Sequence, residues 1–329
     1  MDTTEKLKLI NRNLKEVIGG DIMEKIINKR DLNVYWGTAT TGKPHIAYFL
    51  PILKIKDFVD AGCNVTILLA DIHAFLDNLK APIEKIECRS QYYKKIITLM
   101  LKSIKVDVSK ISFIFGSEYQ KSNKYFTDIL RILNQTKKND ARRAGSEVVK
   151  QVKNSKLSSL VYPAMQALDE EYLNVDVQFG GIDQRKIFMY AREFLPLLKY
   201  KKRIHLMNPM IPGLNSDKMS SSDIDSKIDL LDTKLEIYKK IHNCSLENEG
   251  LIFLFKSIIY PYCSIFNLQI MISGKVYTFD KLYEDIKMKI IDETELKNIA
   301  SDMIERLICP IRDEMLRDLK LIENAYGNK

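Results

Sequence analysis

What most constrains this chain is an alternation of short aliphatic runs with longer segments of helical spacing. Val65 to Ala70 is a near-continuous β-branched and aliphatic run, the pattern of a strand buried on both faces. Asn33 to Gly37, Ile111 to Phe115, Val175 to Phe179 and Arg203 to Met207 read as further strands. Helical segments are expected from about His45 to Ala61, Ile83 to Ile104, Leu157 to Leu173 and Ile182 to Leu195. The first of these carries Ile46, Phe49, Leu50, Leu53 and Phe58 on one stripe. Strands separated by helices of this length imply a parallel sheet with right-handed crossovers, so the expected class is α/β.

Three segments stand outside that alternation. Glu5 to Lys29 repeats Leu7, Ile10, Leu14, Val17, Ile22 and Ile26 at helical spacing and is expected to be helical. Residues 118–156 are more polar and basic, with Lys137, Lys138, Arg142, Arg143, Lys150 and Lys153, and read as an insertion between two halves of the sheet. After Met207 the alternation stops: Pro212 to Ser222 is a flexible stretch, and the remainder is mostly helical. A boundary near 225 gives a sheet domain over 1–225 and a helical domain over 226–329. A soft prior of roughly 150 residues per domain leads to the same number of domains.

Fifty-one Lys and Arg against 43 Asp and Glu leave a net charge of +8, spread among many acids. Such a balance suits a polyanionic partner, because each phosphate neutralised releases condensed counterions. It also suits a Lys-rich solvated surface. The five cysteines are dispersed, with no CxxC pair and no companion histidines, which excludes a disulfide framework and a zinc site and favours a reducing compartment. No uninterrupted apolar run reaches the ~18 to 20 residues of a membrane span. Met1 to Lys6 lacks the pattern of a signal segment, so a cytoplasmic protein without a membrane partner is expected.

In an open parallel sheet, ligands bind beyond the carboxyl ends of the strands where the winding reverses, and a helix N-terminus there attracts phosphate. The first strand leads into Thr38 to Tyr48, which offers hydroxyls, Gly42 for close backbone approach, Pro44 for a first helical turn, and His45. It is not a P-loop, since Gly42-Lys43 is followed by Pro44 rather than Ser or Thr. Lys218-Met219-Ser220-Ser221-Ser222 puts an ammonium beside hydroxyls on a loop, a set that can close over a polyphosphate. Tyr162, Gln166 and Asp169 sit at i, i+4 and i+7, so a helix places them on one face, as a pocket for a polar ligand requires. Taken singly, each motif also fits an ordinary solvated surface.

Taken together, His45-Ile46-Ala47-Tyr48, the YxxxQxxD helix from Tyr162, Gly180 to Lys186 (GGIDQRK) and KMSSS resemble the tyrosyl-tRNA synthetases of the archaeal and eukaryotic type, in class I. The likeness covers nearly the whole chain, including Val34 to Thr40 and Arg203 to Pro209. It implies a Rossmann-like catalytic domain with a dimerisation insertion at about 118–156, and a helical anticodon-binding domain. It further implies L-tyrosine, ATP with Mg²⁺, and tRNA(Tyr) as ligands of a homodimer, with no organic cofactor and no protein-held metal. By the same resemblance Tyr35 and Asp169 bind the phenolic hydroxyl of tyrosine, while Tyr162, Gln166 and Gln184 hold its ammonium and carboxylate. Leu68 and His73 wall the ring. Thr40, Gly42, His45 and Tyr48 lie against ATP, Gly181 and Asp183 near its ribose, and Lys218, Met219 and Ser220 on its phosphates. His45, Lys218, Ser220 and Ser221 are the implied catalytic groups. The implied reaction is attack of the tyrosine carboxylate on the α-phosphorus, then transfer of the tyrosyl group to the tRNA 3′ end, driven by positioning and charge stabilisation.

The chain departs from the broader class at three places. Ala47 and Tyr48 replace Gly and His of the class signature, and Ser221 replaces a second Lys, which puts more of the phosphate contact on His45, Lys218 and backbone amides. Arg185, Lys186 and the basic insertion are expected at the tRNA acceptor end. Glu295 is expected at the first anticodon base, where relatives carry Asp. No appended domain is expected after Lys329. The rivals are a tryptophanyl-tRNA synthetase, a non-catalytic RNA-binding protein of the same fold, and a nucleotidyltransferase of the superfamily. Tyr35 with Asp169 favours a phenol over an indole, and the intact nucleotide motifs favour an enzyme.

Overall fold

The computed structural model describes residues 1–77, 81–148, 156–214, 227–246 and 249–327. Its main sheet contains β1 (Glu16–Ile18), β2 (Asn33–Ala39), β3 (Asn64–Ala70), β4 (Ile111–Phe115), β5 (Val177–Gly181) and β6 (Ile204–Asn208), in the order β1-β6-β5-β2-β3-β4. From β6 to β4 all neighbours are parallel, and β1 adds antiparallel to β6. The chain winds from β2 outward through β3 and β4, then returns to start again at β5 beside β2. That reversal between β2 and β5 leaves a crevice at their carboxyl ends.

On the two faces lie α1 (Thr3–Asn11), α2 (Gly20–Ile27), α3 (Phe49–Asp60), α4 (Asp71–Leu76) and α5 (Ile86–Ser103). The inserted segment supplies α6 (Gly116–Gln120), α7 (Asn123–Gln135) and α8 (Lys138–Ala144), and α9 (Leu157–Tyr172) and α10 (Arg185–Phe194) follow. The insertion is less polar inside than its composition suggests. Tyr125, Ile129 and Ile132 of α7 are buried with Ala164, Met165 and Leu168 of α9 in a cluster separate from the main core. Residues 149–155 of this stretch lie outside the described residues.

Three sequence expectations need correction. The segment 5–29 is not all helix: Asn13, at φ 60°, and Gly19, at φ 87°, bracket β1, whose backbone is held by the edge of β6. A three-residue edge strand leaves no hydrophobic period to read. The strand expected over 175–179 begins two residues later and runs through Gly180 and Gly181. The helix expected from His45 starts as a 3₁₀ turn at Ile46–Tyr48, with His45 itself extended at φ −132°, ψ 177°.

The second half comprises α11 (Lys234–His242), α12 (Glu249–Leu254), α13 (Tyr260–Phe266), α14 (Phe279–Lys287), α15 (Glu293–Leu316) and α16 (Leu319–Tyr326). The expected helical character is interrupted by a hairpin, β7 (Ile270–Ile272) with β8 (Lys275–Tyr277), closed by Ser273 and Gly274, both at positive φ, as a two-residue primed turn requires. The helical run Glu249–Phe266 is long and apolar enough to cross a membrane by length and composition. Here Leu251, Leu254, Phe255, Ile258 and Ile259 face the core instead.

The proposed boundary at 225 falls outside the described residues. On either side of it, one buried cluster runs continuously from Ile10 and the sheet residues Ile67 and Phe179 to Leu251, Ile304 and Ala325. Where the two halves meet, Gly250 of α12 has no room for a side chain, because a Cβ would collide with the carbonyl oxygen of Gly213. That neighbour is backbone and yields little. Gly250→Ala is therefore expected to lower stability by about 1–3 kcal/mol, read as a lower urea midpoint with an unchanged denaturant slope.

Candidate active site

The cavity at the β2/β5 reversal has a volume of about 370 Å³. Strand alternation builds its floor: Tyr35 and Gly37 of β2, Leu68 and Ala70 of β3, and Gln178 and Gly180 of β5 all line it. Tyr35 is in register with Gln178, and Gln178 with His205, so these three share one face of the sheet. A Cβ at Gly180 would come within 2.9 Å of Phe188 and 2.8 Å of the Gln184 amide oxygen, so this strand position must be glycine for the Gln184 side chain to lie over it.

Helix α9 crosses above this floor and presents Tyr162, Gln166 and Asp169 to the cavity, all three buried. The next residue, Glu170, turns the other way and binds Nε2 of the buried His205 at 2.7 Å. The Gln166 amide donates to Oε1 of Gln184 at 2.8 Å, joining α9 to the loop after β5. His73 packs edge-on against the Tyr162 ring at 4.7 Å, and Leu68 is 2% exposed beneath them.

Asp169 is the electrostatic centre of the pocket. Its Oδ1 accepts from Tyr119 Oη at 2.7 Å, Gln120 Nε2 at 2.8 Å and Tyr125 Oη at 3.0 Å. Its Oδ2 is buried without a hydrogen-bond partner, and lies 3.7 Å from His73 Nε2. Burial raises the carboxyl's pKa, opposed by His73 and by the three donated bonds. The Tyr35 hydroxyl is likewise buried and unpartnered, and its pKa is pushed up by burial and then by the charge of Asp169. Two complementary groups thus wait in one cavity: a carboxylate oxygen that needs a donor and a phenol that needs an acceptor.

The other end of the cavity is lined by Thr38, Thr41, His45 and Tyr48 on one side and Gly181, Asp183, Pro209 and Met210 on the other. His45 is 6% exposed, and burial, followed by the charge of Lys227, lowers its pKa to about 3. It is therefore a neutral imidazole, able to offer a hydrogen bond but not a positive charge. Its Nδ1 has no partner. The position of its backbone is fixed by a bridge to Asp229 and by the bond from Ile46 N–H to the Ile228 carbonyl at 2.9 Å. Gly181 has no side chain because the Asp183 carboxylate occupies that space.

Several expected nucleotide contacts sit differently. Thr40 is wholly buried, with its hydroxyl 3.3 Å from Ser90 Oγ, and it is Thr41 that lines the cavity. The Gly42 carbonyl accepts from the hydroxyls of Tyr93 and Tyr326. Arg89 of α5 donates to the Thr41 carbonyl at 2.8 Å and to the Ala325 carbonyl at 3.1 Å, so the loop is buttressed from behind by the end of the chain. Tyr48 Oη lies 3.3 Å from Tyr93 Oη and 3.4 Å from Thr38 Oγ1. Lys218, Met219, Ser220 and Ser221 lie outside the described residues.

The expected tRNA contacts are engaged within the chain. Arg185 donates to both oxygens of Glu16, and Lys186 reaches Ser146 Oγ at 2.9 Å and Glu147 at 2.8 Å. Glu295 accepts from the Ser273 N–H at 2.7 Å and its hydroxyl at 2.9 Å, tying α15 to the hairpin turn.

Sequence reasoning missed Tyr119, Gln120, Tyr125, Gln178 and Asn208. Gln178 carried a signal, a lone amide in an otherwise buried strand. Its Oε1 and the Nδ2 of Asn208 are buried, unpartnered and on the cavity wall. Tyr119 and Gln120 follow the carboxyl end of β4, where binding groups gather in this architecture. Among the described residues no three His, Cys, Asp or Glu side chains converge as a metal site.

Residues 27–308 match the family described as tRNA synthetases class I (W and Y). A protein of Encephalitozoon cuniculi (strain GB-M1) named probable tyrosine–tRNA ligase, cytoplasmic, is 54% identical over 337 residues, spanning 99% of this chain and 100% of that protein. A protein of the same name in Enterocytozoon bieneusi (strain H348) is 57% identical over 331 residues, spanning 98% and 96%. The tyrosyl-tRNA synthetase of Archaeoglobus fulgidus, solved with L-tyrosine, has a TM-score of 0.87 and 34% identity, over 95% of this chain and 100% of that one. With a sheet wound about a β2/β5 crevice and a family match over most of its length, this chain belongs to the class I aminoacyl-tRNA synthetases of the tryptophan and tyrosine family.

Proposed function

We infer that this protein is a cytoplasmic tyrosine–tRNA ligase, which activates L-tyrosine with ATP and transfers it to the 3′ end of tRNA(Tyr). The observation that carries this reading is the pair of unsatisfied groups, Tyr35 Oη and Asp169 Oδ2, in one buried cavity. A phenol hydroxyl can donate to Asp169 Oδ2 and accept from Tyr35 Oη. Phenylalanine leaves both unpaired, and a site built around a hydroxyl rejects the analogue without it, a rule for which enzymes of this kind are the usual example. An indole presents only a donor, so the same pair favours tyrosine over tryptophan.

Tyr162, Gln166 and Gln184 hold the amino-acid head, with Gln166 and Gln184 already oriented by their mutual bond. ATP occupies the Thr41, His45 and Tyr48 side, its ribose toward Gly181 and Asp183. The tyrosine carboxylate attacks the α-phosphorus and pyrophosphate leaves; the tRNA ribose hydroxyl then attacks the tyrosyl carbonyl, the acyl–phosphate bond breaks, and AMP departs with its phosphate able to take up the hydroxyl's proton. No side chain needs to remove a proton from an already ionised carboxylate, so alignment and stabilisation of the developing charge supply the rate. His45 contributes as a neutral donor, and Lys218, with Ser220 and Ser221, contributes the positive charge that His45 lacks. Mg²⁺ accompanies the triphosphate of ATP.

For tRNA, the helical half with Glu295 is assigned to the anticodon, and Arg185, Lys186 and the insertion to the acceptor end. Arg185 and Lys186 must exchange their internal ion pairs for phosphate contacts, and Glu295 its hydrogen bonds from Ser273 for a base contact. Two copies pair through the insertion, where Phe126 and Leu130 stand one helical turn apart on α7, 61% and 53% exposed.

ATP–pyrophosphate exchange tests the assignment: strong exchange with tyrosine and little with tryptophan is expected, and the opposite order overturns it. Asp169→Ala is expected to lower the preference for tyrosine over phenylalanine by about 1–3 kcal/mol or more, measured as the ratio of kcat/KM in the same assay. Binding of tRNA should weaken steeply between low and physiological salt, with log Kd linear in log salt concentration, as phosphate contacts require.

A further inference from the structure

Asp169 lines the cavity with its Oδ2 unpartnered, whereas Tyr119, Gln120 and Tyr125 converge on the other oxygen, Oδ1, and none of the three is among the residues that line the cavity. We propose that these three side chains are positioning residues for amino-acid choice: by occupying Oδ1 they leave Oδ2 as the acceptor that a phenol must satisfy. The proposal rests on Asp169 binding the substrate hydroxyl, and names the groups that make that binding selective.

A buried carboxylate with one wall of donors cannot turn freely about its Cβ–Cγ bond without breaking those bonds. The three donors are themselves fixed. Tyr119 stacks on Tyr172 at 14° and 6.1 Å, and Tyr125 meets both rings edge-on at 5.6 and 4.8 Å. The single Tyr125 hydroxyl proton is shared between Asp169 Oδ1 at 3.0 Å and the Met165 carbonyl at 2.9 Å, one turn apart on α9. Gln120 is admitted by Gly116, where a Cβ would stand 2.6 Å from the Gln120 amide oxygen and 2.9 Å from Asp71. Asp71 in turn accepts from the Ser117 N–H at 2.8 Å, which holds the start of α6.

These donors favour the charged form of Asp169 against the cost of burying it. With them in place, an amino acid lacking a hydroxyl leaves Oδ2 unpaired away from water. Remove donors, and the carboxyl can rotate or take up a proton, and the penalty against phenylalanine shrinks. The shell therefore acts on discrimination and leaves the nucleotide end of the cavity untouched.

The test uses the full chain with Tyr119→Phe, Tyr125→Phe and the double substitution, in ATP–pyrophosphate exchange with tyrosine and with phenylalanine. Each single variant is expected to lower the tyrosine-to-phenylalanine ratio of kcat/KM by about tenfold, and the double by more. The fall should come from a lower KM for phenylalanine together with a higher KM for tyrosine, with kcat for tyrosine, KM for ATP and the melting temperature little changed. Tyr172→Phe is the control. Its hydroxyl binds Asp128 rather than Asp169, so it should keep the ratio. An unchanged ratio in the folded double variant overturns the proposal, as does an equal fall in Tyr172→Phe or an equal loss of kcat with both amino acids. If a tyrosine variant fails to fold, Gln120→Met removes one donor at similar length and must lower the ratio for the proposal to stand. Should Asp169→Ala itself keep the wild-type ratio, the assignment of Asp169 to the substrate hydroxyl is what fails.

Discussion

The parallel pairing of β2 with β5 is the constraint on which the rest depends. Val34 to Trp36 lie against Val177 to Phe179, so two strands far apart in the chain become neighbours at the point where the winding reverses. Crossovers leave in opposite directions from such a pair, which opens a crevice at their carboxyl ends. The cavity is therefore a result of topology, and side chains at the strand ends only furnish it. The register also places Tyr35 beside Gln178 and Gln178 beside His205, a polar row that an all-aliphatic sheet would not contain.

Burying that polar row is unfavourable unless each group finds a partner. Away from the cavity the partners are internal: His205 has Glu170, and Asp169 Oδ1 has three donors. In residues that line the cavity, Tyr35 Oη, Asp169 Oδ2, His73 Nε2 and Gln178 Oε1 have none within the protein. The contrast separates structural from functional polarity. A ligand with matching donors and acceptors recovers what folding left unsatisfied, which is the physical source of both affinity and selectivity.

The helical half does more than lie beside the sheet. Tyr326, near the end of the chain, reaches the Gly42 carbonyl, and Arg89 joins the Thr41 and Ala325 carbonyls. The segment 227–232 holds the backbone around His45, and Asp232 is bound in turn by Lys240 of α11 at 2.6 Å and, through its carbonyl, by Arg312 of α15 at 2.8 Å. The Thr41 to His45 side of the cavity is thus fixed from both halves of the chain. A continuous buried cluster across them makes such positioning stiff.

Read alone, the sequence determines the alternating elements and their order, because a strand buried on two faces and an amphipathic helix have different hydrophobic periods. It also determines that Tyr162, Gln166 and Asp169 share a face, because helix geometry is local. It left β1 and the β7–β8 hairpin unread, since three-residue strands carry no period. Tertiary structure alone decided that Tyr35 and Asp169 open into the same cavity, that Thr41 rather than Thr40 lines it, and that Tyr119, Gln120 and Tyr125 stand behind the carboxylate. Those facts depend on strand register and on contacts between residues roughly 50 to 130 positions apart. Local patterns hold no record of which distant groups meet, since that is settled by packing.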